Sequence, residues 1–487
     1  MRSTTGVAIS VYLLASLLQP VPADAQYKAV NPQIQKIVEQ ISEEKIATIL
    51  KKLEAFGTRN TFSTQDNPTR GIGAARKWIY EQFRSYSPKL EVSFDQYRLK
   101  KSTERGSRIP NDADLYNVVA VLPGTTNKEQ RIVISGHYDS LAFVRPSAPG
   151  EATPGEGGAT PPTGAGGVGG AGGGGQRQQP PPRDPNEDAP GVTDDASGTA
   201  CVMELARVLS QFEFEKTLVF VAFAGEEQGL LGSTLYAARS KKEGQKIEAV
   251  LNNDIIGSDV SGNGRMENRR VNVFSEDPQD SLSRTLSRYI KDVGEKYLPS
   301  MRVDLMFRAD RFGRGGDHTP FNQEGFAAVR FSSPSENFTN QHTLTDTFAN
   351  TSVPYIARVT KVNGAVAASL ALAPRAPVVV NEVERNGRKT EQLMLQRGRT
   401  RYDAALRWKH DKPEPDLAGY VVVMRSTTAP NWEREIYVGN VLEYTMPDVS
   451  IDEVVFGVKA IDKDGNESLV TPYVPAPRQK RTIETIN

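Results

Sequence analysis

One cysteine in 487 residues excludes an internal disulfide framework. That residue, Cys201, falls in the amphipathic pattern of 200–209, where it reads as a small core side chain rather than a nucleophile. Net charge is missing too: 59 Lys and Arg balance 59 Asp and Glu. A chain without an overall field is not expected to bind nucleic acid or an anionic membrane. No apolar run beyond the N-terminus approaches the roughly 20 residues a bilayer span needs. Two catalytic signatures are also absent. Without Gly-x-Ser-x-Gly a serine hydrolase is not expected, and without His-Glu-x-x-His a thermolysin-like protease is not. Histidine is scarce, with only His137, His318, His342 and His410.

The N-terminus predicts export. Arg2 supplies positive charge, 7–18 an apolar stretch too short to span a membrane, and Ala23-Asp-Ala25 a small-x-small cleavage site. Residues 1–25 therefore read as a signal peptide. No cysteine follows it to take a lipid, so the expected protein is secreted or periplasmic, without stable membrane insertion.

Residues 26–373 alternate helical and strand-like patterns. Apolar spacing through Ile34, Ile37, Val38, Ile41, Ile46 and Leu50 predicts a helix over 32–56, and another follows at 72–83. Apolar runs at 117–122, 132–135, 218–223, 250–254 and 327–331 predict strands; 197–211, 231–240 and 280–293 predict helices. That alternation predicts an α/β fold with a mostly parallel central sheet flanked by helices. Residues 141–190 break the pattern. Nine of the fifteen residues from 161 to 175 are glycine. Such a stretch buries too little apolar surface to offset its ordering entropy, so the segment is expected to be a disordered insertion. From 377 to 476 the segments become short and strand-like (404–408, 419–424, 437–438, 454–460), which predicts a small all-β sandwich with Trp408 in its core.

The chemistry gathers at strand ends. The run 217–223 reads as a strand buried on both faces, and Glu226 and Glu227 follow it. Adjacent carboxylates there are costly unless positive charge lies beside them. His137 and Asp139 follow the strand at 132–135, and Asp254 ends the one at 250–254. Asp194 precedes the helix at 197, and His342 lies in a loop after residue 331. The carboxyl edge of an open α/β sheet is where ligands bind. Two imidazoles and three carboxylates suit zinc, with an open position for catalysis. One carboxylate can bridge two cations, which together polarise a carbonyl and acidify a water, while a free neighbouring carboxylate moves the proton. Asp139 is spaced to orient the His137 ring. Plainer readings compete. Asp194-Asp195 also suits a helix N-terminus, work expected of Asp195 and Ser197. Asp317 and Asp346 suit turns or support behind the metals, and His410, beside Lys409 and Asp411, reads as surface. Ligands spread from 137 to 342 form no compact motif, so spacing alone leaves both readings open.

At these residues the chain resembles the M28 family of zinc aminopeptidases. The matching pieces are Ser135-Gly-His-Tyr-Asp-Ser140, Asp194-Asp-Ala-Ser-Gly198, Phe223-Ala-Gly-Glu-Glu-Gln-Gly-Leu-Leu-Gly-Ser233, Asn253-Asp254, Gly316-Asp-His318 and His342-Thr-Leu-Thr-Asp-Thr347, in the family's order. The resemblance implies two Zn2+ ions. One would sit on His137, Asp194 and Asp254, the other on Asp194, Glu227 and His342, with Asp194 bridging. It implies Glu226 as general base and acid, Asp139 as the aspartate behind the histidine ligand, and release of single residues from peptide or protein N-termini. Two departures stand out. The loop from the histidine to the bridging aspartate carries the Gly/Pro insertion, and only 101–114 stand where some relatives insert a protease-associated domain. The C-terminal part resembles a fibronectin type III domain at Leu406-Arg-Trp408, Gly419-Tyr-Val-Val-Val-Met-Arg425 and Val458-Lys-Ala-Ile-Asp462. That implies a spacer, or a surface for protein contact. The rival expectations are a single-zinc glutaminyl cyclase, a carboxypeptidase or dipeptidase of the same fold, and a non-catalytic binding protein. The full ligand set speaks against the first and the intact Glu226 against the last.

Overall fold

The computed structural model describes residues 30–104, 107–144, 182–311, 314–385 and 388–474. The expected signal peptide and residues 145–181 of the insertion lie outside the described residues. The flanks of that insertion are ordered, which corrects the boundary drawn from composition. Ala189 bridges Thr58 in parallel, Phe143 bridges Pro182, and the Arg183 N–H donates to the Ala142 carbonyl at 2.9 Å.

The expected first helix is two. Helix α1 covers Pro32–Glu39 and α2 covers Glu43–Glu54. Ser42 starts the second, its side chain accepting from the Lys45 N–H. Then follow α3 (Gly71–Tyr86), β1 (Glu91–Leu99), β2 (Ala113–Leu122), β3 (Asn127–His137), α4 (Ser197–Leu209), β4 (Lys216–Phe223), α5 (Leu231–Lys242) and β5 (Lys246–Asn253). The domain continues with β6 (Arg270–Phe274), α6 (Leu282–Tyr297), β7 (Arg302–Met306), α7 (His318–Gln323), β8 (Ala328–Ser332) and α8 (Val353–Leu372).

Strands β1 to β8 form one sheet in the order β1-β2-β4-β3-β5-β8-β6-β7. The centre, β4-β3-β5-β8, is parallel; β1-β2-β4 and the β8-β6 pairing are antiparallel. Every residue of β4 is buried, as the apolar run from Leu218 to Phe223 requires, and Lys216 at its start is paired with Glu248 at 2.8 Å. One face packs on α1–α4, α6 and α8 through residues such as Ile37, Leu50, Phe83, Leu205, Ile290 and Val362. The other packs on α5 and α7 through Tyr236 and Phe321. Burying each such side chain contributes roughly 1.5–3 kcal/mol. No helix among the described residues is long and apolar enough to cross a membrane.

The described residues from 380 onward form antiparallel sheets only: a hairpin of β9 (Val380–Arg385) and β10 (Arg388–Leu393), then two sheets facing one another. One has β11 (Leu395–Arg397), β12 (Ala404–Arg407) and β15 (Glu443–Met446) in the order β11-β12-β15. The other has β13 (Leu417–Ser426), β14 (Arg434–Gly439), β16 (Val454–Asp462) and β17 (Thr471–Pro472) in the order β14-β13-β16-β17. Leu406, Trp408, Tyr420, Val422, Met446 and Val458 share their core, with Trp408 buried as expected. His410 is not the free surface residue expected. It is half-buried, with Nε2 at 2.7 Å from the Arg375 carbonyl and Nδ1 at 2.9 Å from the Tyr420 hydroxyl. This small β domain is docked against α6: Arg288 Nε donates to the Pro430 carbonyl at 2.6 Å, and Arg425 Nη2 to Asp280 at 2.5 Å.

Candidate metal centre

Parallel strands end where the chain can turn back over the sheet, and the acidic residues sit on those turns. His137 is the last residue of β3, Asp254 follows β5, and Glu226 and Glu227 follow β4. Gly136 lets α4 close on the end of β3, since a Cβ there would lie 2.6 Å from the Gly198 carbonyl carbon. Asp194 and His342 arrive on loops, His342 in the left-handed region at φ +54°.

These residues converge. Asp194 turns one carboxylate oxygen to each imidazole: Oδ1 lies 3.3 Å from His137 Nε2 and Oδ2 lies 3.0 Å from His342 Nε2. Glu227 Oε1 lies 2.9 Å from His342 Nε2, and Asp254 Oδ1 lies 4.0 Å from His137 Nε2. Two trios result, His137–Asp194–Asp254 and Asp194–Glu227–His342, each with its ligand atoms within 4.8 Å of one another. Glu226 belongs to neither. Its Oε2 stands 3.9 Å from His137 Nε2, with its side chain 14% exposed.

The surroundings aim these atoms. The Asp139 backbone carbonyl lies 3.2 Å from His137 Nδ1, and its carboxylate Oδ1 lies 3.6 Å from the same nitrogen. A carbonyl can only accept, so Nδ1 donates and Nε2 faces the cluster. The Asp139 carboxylate accepts the N–H groups of Glu226 (3.3 Å) and Glu227 (3.2 Å) and so fixes both acids. Asp195 accepts from the N–H groups of His137, Gly198 and Ile255, the structural work expected of it. Asp346 accepts from the N–H groups of Thr193 and Asp194. Asp317 is buried just before α7, where burial raises its carboxyl to about 7. His318 belongs to neither trio; its Nε2 lies 3.0 Å from the Ala309 carbonyl.

The charge balance calls for a cation. Burial, opposed by His137 and reinforced by Asp254 and Glu227, pushes the Glu226 carboxyl well above the usual carboxylate range. Burial likewise raises Glu227 against the pull of His342. At Asp194 burial is outweighed by His137 and His342, which hold its carboxyl well below that range. Burial also works to lower both imidazoles, and the carboxylates, Glu226 at His137 and Glu227 at His342, overcome it and raise them. A field that favours positive charge so strongly on the rings favours a divalent cation between them in the same way. Zinc fits: the donors are imidazole and carboxylate, and the buried His137 Nε2, His342 Nε2 and Glu227 Oε1 make no hydrogen bond.

The family model described as "Peptidase family M28" matches residues 117–367, a stretch that contains every one of these side chains. The chain belongs to peptidase family M28. A probable zinc metalloprotease of Pyricularia oryzae is 34% identical, covering 91% of this chain and 85% of the relative. Among solved structures, the LapA aminopeptidase of Legionella pneumophila is 20% identical, covering 70% of this chain and 74% of its own, with a TM-score of 0.48. A glutaminyl cyclase of Macrostomum lignano is 16% identical over 74% of this chain and 97% of its own, with a TM-score of 0.49. This M28 chain is thus a zinc-dependent metallopeptidase, and peptides are its substrates.

The M28 centre leans on residues that sequence reasoning missed. Arg330, buried on β8, donates to Asp254 Oδ2 at 2.9 Å, to the Asp254 carbonyl at 3.2 Å and to Asp310 at 2.9 Å. Arg59, also buried, donates to the carbonyls of Leu53, Tyr138, Pro190 and Gly191. Gln341 Nε2 donates to Asp194 Oδ2 at 2.8 Å. An arginine embedded in the apolar pattern of 327–331 was the one available signal, since a buried guanidinium demands carboxylate partners.

Proposed function

We propose that this peptidase is an exopeptidase with two zinc ions, removing single residues from peptide N-termini with Glu226 as general base and acid. The observation that carries the reading is Asp194, one oxygen turned to each imidazole, with Glu226 left outside both trios. His137, Asp194 and Asp254 would hold one ion, and Asp194, Glu227 and His342 the other. When bound, zinc supplies Lewis acidity, polarising the scissile carbonyl and lowering the pKa of water.

The protein's own groups do the rest. Glu226 takes a proton from the attacking water and delivers it to the leaving amine. A carboxyl raised by burial holds that proton between the two events. Asp139 positions Glu226 through its backbone N–H and steadies the His137 ring through its own carbonyl. The N-terminal sequence supports export to the periplasm or exterior. The three-plus-four strand order of the C-terminal sheets supports the likeness to fibronectin type III, and with it a docking or spacer role.

Glu226→Gln tests the core of the reading. We expect zinc content to stay at two equivalents by elemental analysis while hydrolysis of aminoacyl anilides falls about a hundred- to ten-thousand-fold. Normal turnover in that variant would remove Glu226 as the base. A peptide panel with free and blocked termini tests the exopeptidase class, and cyclisation instead of release of an N-terminal glutamine would replace it with a cyclase.

A further inference from the structure

We infer that the cleft between the outer edge of β7 and the C-terminal β domain is a docking groove for an extended, acidic peptide segment. The cleft holds a cavity of about 530 Å3, lined on one side by β7 and on the other by Pro430 and Asn431.

Its backbone chemistry is that of an incomplete sheet. Strand β7 ends the eight-stranded order and pairs only with the parallel β6. In a parallel pair, alternate residues turn both N–H and C=O to the same neighbour. The Arg302 N–H donates to the Arg269 carbonyl and the Ser275 N–H to the Met306 carbonyl, so residues 302, 304 and 306 face β6. Residues 303 and 305 face outward. At Val303 side chains of α6 close both groups: Glu295 accepts the N–H at 2.9 Å, and Lys291 donates to the carbonyl at 3.1 Å. The Leu305 N–H and carbonyl have no such partner among the described residues, and Leu305 lines the cavity. Such a free pair is what an added strand takes up. Across the cleft, the buried Asn431 Oδ1 also lacks a hydrogen bond.

The side chains give the sign of the occupant. Arg265, Arg270, Lys291 and Arg302 line the cavity against Glu267 and Asp304. Lys291 is taken by Glu295 at 2.5 Å. Arg270 and Arg302 share the single carboxylate of Asp304, at 2.5 and 3.2 Å. Arg265 pairs with no carboxylate among the described residues. The groove therefore holds guanidinium groups in excess and suits Asp or Glu side chains on the incoming strand.

Its lining adjoins that of the metal centre along the chain. Pro334 and Ser335 line the groove, and the next residues, Glu336 and Asn337, line the small cavity beside Asp194. The segment it fits is the part of a substrate lying beyond the bond that is cut; that identification rests on the exopeptidase reading, whereas binding in the groove does not.

The test is fluorescence anisotropy of an N-acetylated, fluorescein-labelled Glu-rich peptide, titrated with the full chain carrying Glu226→Gln. Acetylation keeps the probe's N-terminus from serving as a substrate amine. Saturable binding is expected, weakened about tenfold or more by Arg265→Glu with Arg302→Glu and by N-methylating alternate amides of the probe. The same two substitutions, placed with Glu226 intact, should leave hydrolysis of short aminoacyl anilides unchanged. A Lys-rich probe that binds equally well, or a double variant that binds as before, would overturn the groove. Saturable, arginine-dependent probe binding together with normal anilide hydrolysis by Glu226→Gln would instead count against the catalytic reading and leave the groove standing.

Discussion

The two trios that share Asp194 are built differently. His137 and Asp254 close the ends of neighbouring parallel strands, with side chains 1% and 3% exposed. Asp195 grips the His137 backbone and Arg330 grips the Asp254 carboxylate. Glu227 and His342 come from loops, and the His342 side chain is 22% exposed. His342 is steadied by Phe143, whose ring lies edge-on at 5.3 Å and whose N–H donates to the His342 carbonyl. One half of the centre is part of the sheet, and the other is laid over it. On the two-ion proposal, the sheet-bound half would fix where cations bind, while His342 on the loop-borne half faces the solvent from which substrate arrives.

The comparison breaks most completely at the shared residue. Asp194→Asn removes a charge both trios use, so on the two-ion proposal both equivalents of zinc should be lost together, with activity undetectable in anilide assays. Retention of one equivalent would mean the trios are independent. The next largest effect should fall on the sheet-bound half. Arg330→Met leaves Asp254 buried without its guanidinium partner, while Asp310 keeps Arg311, a loss of about 3–5 kcal/mol in urea unfolding of the zinc-free protein. On the loop-borne half, Gln341→Ala deletes one hydrogen bond to Asp194. It should cost only about 1 kcal/mol in unfolding, while weakening zinc about tenfold in competition with a chelator. Equal unfolding losses from Arg330→Met and Gln341→Ala would erase the distinction between the halves.

How much of this was legible followed the same division. The strands that lead to His137, Glu226, Glu227 and Asp254 carry short or long apolar runs, longest in β4, and their ends were readable because a buried parallel strand has a characteristic composition. Strands β6 and β7 have five residues each, too few to show a period. Helix α8 is buried on nearly every side and lacks the polar stripe that marks an amphipathic helix. The break between α1 and α2 hid in a pattern whose apolar spacing continues through Ile41. Asp139 was placed beside the right histidine; what spacing does not show is that its backbone carbonyl lies nearer the ring than its carboxylate, at 3.2 against 3.6 Å. Arg59 and Gln341 act on segments distant in the chain, and nothing in their neighbours' composition announces it.

Arg59 has a consequence for where this protein can be cut. It lies outside the stretch 117–367 that matches the family, yet it gathers the carbonyls of Tyr138, Pro190 and Gly191, on either side of the route into Asp194. Helices α1 to α3 cover the same sheet face as α4. A fragment trimmed to the family boundaries would expose that face and orphan those acceptors. The unit of recognition between relatives is thus smaller than the unit that folds, and helices α1 to α3 are scaffolding the centre cannot do without.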